Sequence, residues 1–149
     1  MARDQRVAYI AENPSQMMLF QDMSYLRNLT FCLPRQIDSW LRRRSIYRSL
    51  RRELTPELGA VFDKDIRDLN AQEKYALIFR RVLLQQPRVV FFEQPFWGND
   101  VLLQQHIERQ VQLLLDKKIA VVVLIVGIYD AFPLAERTLI YKNGHLLTQ

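Results

Sequence analysis

The sequence predicts an α/β domain: a mainly parallel sheet with a helical lobe set into it. Helical and apolar extended segments alternate along the second half of the chain, the pattern of βαβ units. Two of the extended segments, "VVFF" at 89–92 and "IAVVVLIV" at 119–126, are continuous apolar runs. Such runs mark strands covered on both faces. A length of 149 residues, with 49% apolar and 25% charged residues, suits one globular domain with one core.

Val7 to Ile10 reads as a short strand ended by "ENPS", which has turn chemistry. Residues 16–33 read as a loop and a helix starting near Ser24, broken by Pro34. From Gln36 to Leu54 a helix is predicted, because Ile37, Trp40, Tyr47, Leu50 and Leu54 share one stripe. Residues 55–70, with Pro56 and Gly59, suit a connection. Asn70 with Glu73 three residues on has the capping-box pattern. It opens a helix whose buried stripe is Tyr75, Ile78, Phe79, Val82 and Leu83, closed by Pro87. After the strand "VVFF" and a loop through Asp100, a helix runs from Val101 to Lys117 with Leu103, Ile107, Val111 and Leu114 inward. The strand "IAVVVLIV" follows, then a short helical piece around Ala131 to Glu136 and the strand "TLIYK". A turn at Asn143-Gly144 leads to "HLL", Asn-Gly being a strong hairpin signal.

A net charge of +5 and an isoelectric point near 9.6 favour anionic partners. The excess is local: "WLRRRSIYRSLRRE" carries six arginines against one glutamate. Arg44, Arg48, Arg51 and Arg52 gather away from the apolar stripe. Such a face is either simply solvated or attracted to an anionic membrane leaflet or a membrane-protein partner. Nucleic acid is disfavoured, since no aromatic residue alternates with the arginines to stack bases. Cys32 is the single cysteine, read as a buried thiol, and His106 and His145 lack metal-pair spacing, so no metal site is expected. The N-terminus shows no secretory h-region, and the apolar run 119–128 is too short to span a bilayer. A cytoplasmic location is expected.

The most informative stretch is "RVVFFEQPFWGND", 88–100. An apolar strand ending in acids is a device for holding Mg²⁺ on nucleotide phosphates and orienting water. In context it resembles the ATP-binding cassette family of transporter ATPases, most closely the C-terminal cassette of tandem monosaccharide-importer ATPases. "LNAQEKYALIFRRVLLQQPRVVFFEQPFWGND" lines up without a gap on that family's signature motif, helix, magnesium strand and D-loop. "VAYIAENPSQMMLFQDMSYLRNLTF" is similar to its Q-loop region, with Glu12 where sugar-importer C-terminal cassettes often carry Glu. "VVVLIV" and "AERTLIYKNGHLL" resemble its closing strands. The resemblance implies a partial P-loop-NTPase-like core across 1–149: a Q-loop strand and turn (1–15), an inserted helical lobe (16–70) and an α/β core (71–149).

The departures from the family are specific. The four glycines, at 59, 98, 127 and 144, do not form the phosphate-cradling G-x-x-x-x-G-K-[ST]. In the family that P-loop lies upstream of the Q-loop, where this sequence begins. The signature L-S-G-G appears as Leu69, Asn70, Ala71 and Gln72, and Gln72 puts a long side chain where the family's glycine admits a partner's γ-phosphate. Glu93 stands for the magnesium Asp, and Gln94 for the catalytic Glu. An amide accepts no proton from water at neutral pH, so the general base is lost. The switch histidine falls on Ile128, Trp97 sits in the D-loop, and Asp100 matches its counterpart. Each position also has a plainer reading: Glu93 as a strand-end acid paired with an arginine, Gln94 as a hydrogen-bonded core residue, Glu12 as a turn residue, and Asn70 and Asp100 as helix caps.

The resemblance therefore implies a degenerate cassette subunit or fragment without ATP hydrolysis of its own. By the same resemblance it would pair with an intact cassette and a membrane permease on the cytoplasmic face of the inner membrane. MgATP would bind only at the shared interface, with Glu93 near Mg²⁺ only against a partner's P-loop. A homo-oligomer would be another way to cover exposed apolar strands near Val90 and Val122. The alternative is a decayed cassette serving as a scaffold or an anionic-surface binder through its arginine helix.

Overall fold

A computed structural model describes residues 6–31, 40–96, 98–127 and 133–148. The chain opens with β1 (Val7–Ile10) and passes through α1 (Pro14–Met17), α2 (Tyr25–Thr30) and α3 (Trp40–Leu58). Two 3-10 turns, Gly59–Asp63 and Ile66–Asp68, lead to α4 (Ala71–Leu84). Then come β2 (Val89–Glu93), α5 (Val101–Asp116), β3 (Ala120–Leu124) and the hairpin β4 (Leu139–Lys142) and β5 (His145–Thr148). Strands β1, β2 and β3 form a parallel sheet in sequential order, with Val7 opposite Val89 and Val89 opposite Ala120. Strands β4 and β5 pair antiparallel in a separate ribbon around Asn143 and Gly144, both at positive φ (51° and 81°). That is the turn chemistry Asn-Gly supplies. The fold is thus α/β with a mainly parallel core sheet, as the alternation of segments predicts.

Sequential strand order has a geometric consequence. Parallel crossovers are right-handed, so successive helices joining neighbouring strands in one direction fall on the same face. Ala8, Ile10, Val90 and Phe92 on that face are all buried, beneath α4 and α5. On the opposite face Val7 (52%), Tyr9 (50%), Val122 (38%) and Leu124 (46%) remain exposed.

Helix α4 starts at a complete capping box: Asn70 Oδ1 accepts from the Glu73 N–H at 2.8 Å, and Glu73 accepts from the Asn70 N–H at 2.9 Å. Its Tyr75, Ile78, Phe79 and Val82 are buried, with Leu77 beside them and Leu83 half-buried. Phe79 meets Phe92 of β2 edge-on at 5.7 Å between centroids, a favourable aromatic geometry. Helix α5 is capped by Asp100, which accepts from the Leu103 N–H at 2.8 Å, and it buries Leu103, Ile107, Val111 and Leu114. In the lobe, buried Asn28 clamps the preceding loop. It accepts from the Phe20 N–H at 2.8 Å and donates to the carbonyls of Phe20, Met23 and Ser24.

Three expectations need correction. Helix α3 does not stop at Leu54 but continues through Pro56 to Leu58. Proline there removes one helical bond, to the Arg52 carbonyl, close to the helix end, where losing it matters least. Strand β3 is not covered on both faces, because the sequential order leaves one face of the sheet without a helix among the described residues. Finally, 133–136 form a turn rather than a helical piece, while 131–132 lie outside the described residues. Cys32, Pro34, Ile37, Trp97 and Ile128 also lie outside them.

Candidate functional site

In a parallel sheet all strands end at one edge, and ligands of open α/β folds sit beyond those carboxyl ends. Here Ile10, Glu93 and Leu124 define that edge. Glu12 follows on an exposed bend, and Gln94 leaves β2 with φ at 45°. That left-handed backbone is uncommon for a residue with a side chain. The Gln94 N–H continues the parallel ladder onto the Leu124 carbonyl at 2.8 Å, so the end of β2 is tied to the end of β3.

The Glu93 carboxylate accepts a hydrogen bond from the Tyr9 hydroxyl across the β1–β2 pair. Tyr9 lies opposite Phe91, and Glu93 is two residues further along the same face. The sequence suggests an arginine partner for Glu93; the described partner is this phenol. The bond to Glu93, partial desolvation, and the negative charges of Glu93 and then Glu12 all push the Tyr9 phenol above its ordinary value. Tyr9 and Glu93 therefore form a hydrogen-bonded pair at the sheet edge, with the negative charge of Glu12 acting on it. Tyr9 carries no motif signal, and only the strand register brings it to Glu93.

Helices α4 and α5 run back against the strands, so their N-termini also point toward this edge. Leu69 is buried, and Asn70, Ala71 and Gln72 are exposed at the start of α4. Asn70 spends its side-chain oxygen on the Glu73 N–H, and Asp100 spends one oxygen on Leu103, so both act as helix caps. The Asn99 amide donates to the Tyr75 hydroxyl at 3.3 Å and to the Pro95 carbonyl at 2.9 Å, joining the loop after β2 to α4. Burial raises the Tyr75 phenol, and the Asn99 bond partly offsets this. Buried Arg81 reaches the Met18 carbonyl, fixing the segment after Glu12 against α4.

The arginine helix stands apart from this edge. Arg44, Arg48, Arg51 and Arg52 are all exposed along α3. Arg51 pairs with Asp63 at 2.6 Å, a surface bridge of the kind that contributes little to stability. Tyr47 fastens α3 to α2 through a 2.7 Å hydrogen bond between its hydroxyl and that of Thr30. No helix among the described residues is long and apolar enough to cross a membrane.

No family model matches the chain. Among curated proteins, 86 residues are 26% identical to the spermidine/putrescine import ATP-binding protein PotA of Mesoplasma florum, covering 56% of this chain and 24% of that protein. A longer match, 142 residues at 26% identity, is to the lipopolysaccharide export system ATP-binding protein LptB of Acidithiobacillus ferridurans, covering 95% and 57%. The chain thus spans between a quarter and just over half the length of these curated relatives. Among solved structures, cbiO1 from Clostridium perfringens, part of the ABC transporter complex cbiONQ, matches with a TM-score of 0.70 at 16% identity. That match covers 96% of this chain and 56% of cbiO1. By fold and by distant homology the chain matches the nucleotide-binding domain of ABC-transporter ATPases.

Proposed function

We propose that the chain is a degenerate, non-hydrolysing cassette subunit or fragment of an ABC-transporter ATPase, acting by pairing with an intact cassette and a permease. The observation that carries this reading is the end of β2. Glu93 is held by the Tyr9 hydroxyl, and the next residue is Gln94, an amide where a general base is required. These 149 residues also contain no G-x-x-x-x-G-K-[ST] to cradle a triphosphate. MgATP would then bind only at an interface whose partner supplies the cradle. There Glu93 would face the metal, and Glu12, Leu69, Asn70, Ala71, Gln72 and Asp100 would line the approach. The three relatives are named for different systems, so a sugar-type role rests on the sequence resemblance and on Glu12. Peripheral attachment at the cytoplasmic face of the inner membrane follows from pairing with a permease. The test is phosphate release from MgATP by the chain and by Gln94→Glu. Neither should turn over, because restoring the base does not restore the cradle; turnover by either would refute the reading.

A second reading is favoured by the exposed line Arg44, Arg48, Arg51 and Arg52: a decayed cassette that binds an anionic surface. Replacing all four by Gln separates the two. Loss of binding to vesicles of anionic lipid supports the second reading, and loss of co-purification with a permease supports the first.

A further inference from the structure

Helix α3 carries its cations without the anions that a solvated helix face sets among them. At 3.6 residues per turn, Arg44, Arg48, Arg51 and Arg52 fall within an arc of roughly 100°. Like charges three or four residues apart repel, and Arg48 has Arg44, Arg51 and Arg52 at those spacings. No Asp or Glu of the helix stands three or four residues from any of the four; Glu53 and Glu57 fall on another side. A carboxylate does reach the line from outside the helix: Asp63, in the 3-10 turn after α3, meets Arg51 at 2.6 Å. Among the described residues no acid pairs with Arg48 or Arg52. These two are exposed and stand about one turn apart, roughly 6 Å along the axis.

What neutralises this pair must be anionic and spaced alike. Asp63 shows the chemistry, since a planar guanidinium suits a carboxylate. An extended acidic segment would bind through a sheet edge, and α3 offers none, its amides and carbonyls being spent within the helix. A lipid surface takes up a helix through its apolar side. That side of α3 is turned to the protein instead: Tyr47 bonds to Thr30, and Leu54 packs against the core. A second helix meets neither obstacle. Its carboxylates, four residues apart, repeat the spacing of Arg48 and Arg52.

We propose that Arg48 and Arg52 dock an acidic helix of another polypeptide, its carboxylates one turn apart, while Asp63 competes with that helix for Arg51. The proposal rests on the anionic-surface reading above and names the surface as protein rather than lipid. Two alanine- and glutamine-based peptides of about 20 residues, long enough to be helical, test it against the whole chain at low ionic strength. One carries three glutamates four residues apart, in a stripe; the other has the same composition with the glutamates five residues apart, scattered round the helix. Side-chain N–H resonances of Arg48 and Arg52 report the binding. Exposed ion pairs are individually weak and salt-sensitive, so the striped peptide should bind about three-fold tighter or more, and salt should abolish the difference. Arg48→Gln with Arg52→Gln should remove the preference, and Asp63→Asn should tighten binding about two-fold by releasing Arg51. Should the double variant not fold, the two peptides and Asp63→Asn still decide. Equal binding of the peptides, a preference that survives the double variant, or no tightening by Asp63→Asn would each overturn the proposal. Binding to vesicles of anionic lipid without binding to the striped peptide would overturn it and leave the anionic-surface reading standing; binding to neither would overturn both.

Discussion

The Tyr9 hydroxyl donates to the Glu93 carboxylate, joining residues 84 apart in sequence across neighbouring parallel strands. The bond favours the protonated phenol. A group whose folded pKa is raised adds stability below its unfolded value, here 10.0, and loses it as pH rises through the folded value. Ultraviolet titration should therefore place the Tyr9 phenol, like that of Tyr75, above 10.0, and Glu93→Gln should bring the Tyr9 phenol alone back toward that value. A Tyr9 titration indifferent to Glu93→Gln would show that the pair does not form in solution.

Asn70→Ala removes one half of the capping box at α4. The expected loss is about 1 kcal/mol, or roughly 3 °C in melting temperature for a chain of this size. Thermal unfolding followed by circular dichroism measures it.

Asn28→Leu puts a larger apolar side chain in place of the amide and takes this partner from the Phe20 N–H and the Met23 carbonyl, while the Phe20 and Ser24 carbonyls keep the Met23 and Asn28 N–H groups. An unsatisfied buried group costs about 1–3 kcal/mol, so this variant should lose at least about 2 kcal/mol in urea unfolding. A loss below about 0.5 kcal/mol would mean the loop finds other partners.

His106 Nε2 is buried without a hydrogen-bond partner among the described residues. Burial, then the nearby Arg109, lowers its pKa below 6.5. Its neutral form is favoured, so the stability it permits is present above 6.5 and lost as pH falls through the lowered value. His106→Leu should raise stability by about 1 kcal/mol and reduce the acid dependence below pH 6.5. Urea midpoints at pH 7 and pH 5 give both quantities.

Periodicity and capping chemistry are local, and they were readable: the stripe Leu103, Ile107, Val111 and Leu114, the caps Asn70 and Asp100, and the Asn143-Gly144 turn. What escaped depends on neighbours distant in sequence. An apolar run such as 120–124 shows that a strand wants burial, but not which face the chain covers. Sequential strand order decides that, and it leaves Val122 and Leu124 exposed. Pro56 signals a break, yet so near a helix end it costs only one bond, and α3 runs past it. At the candidate site Glu93 and Gln94 stood out as strand-end residues. Tyr9 and Arg81 did not, because register and packing alone bring them to Glu93 and Met18.

The central claim is that these residues do not hold a triphosphate unaided. Isothermal titration of the isolated chain with MgATP tests it most directly. No saturable heat and no rise in melting temperature up to millimolar nucleotide is the predicted result; one-to-one binding in the micromolar range would contradict it.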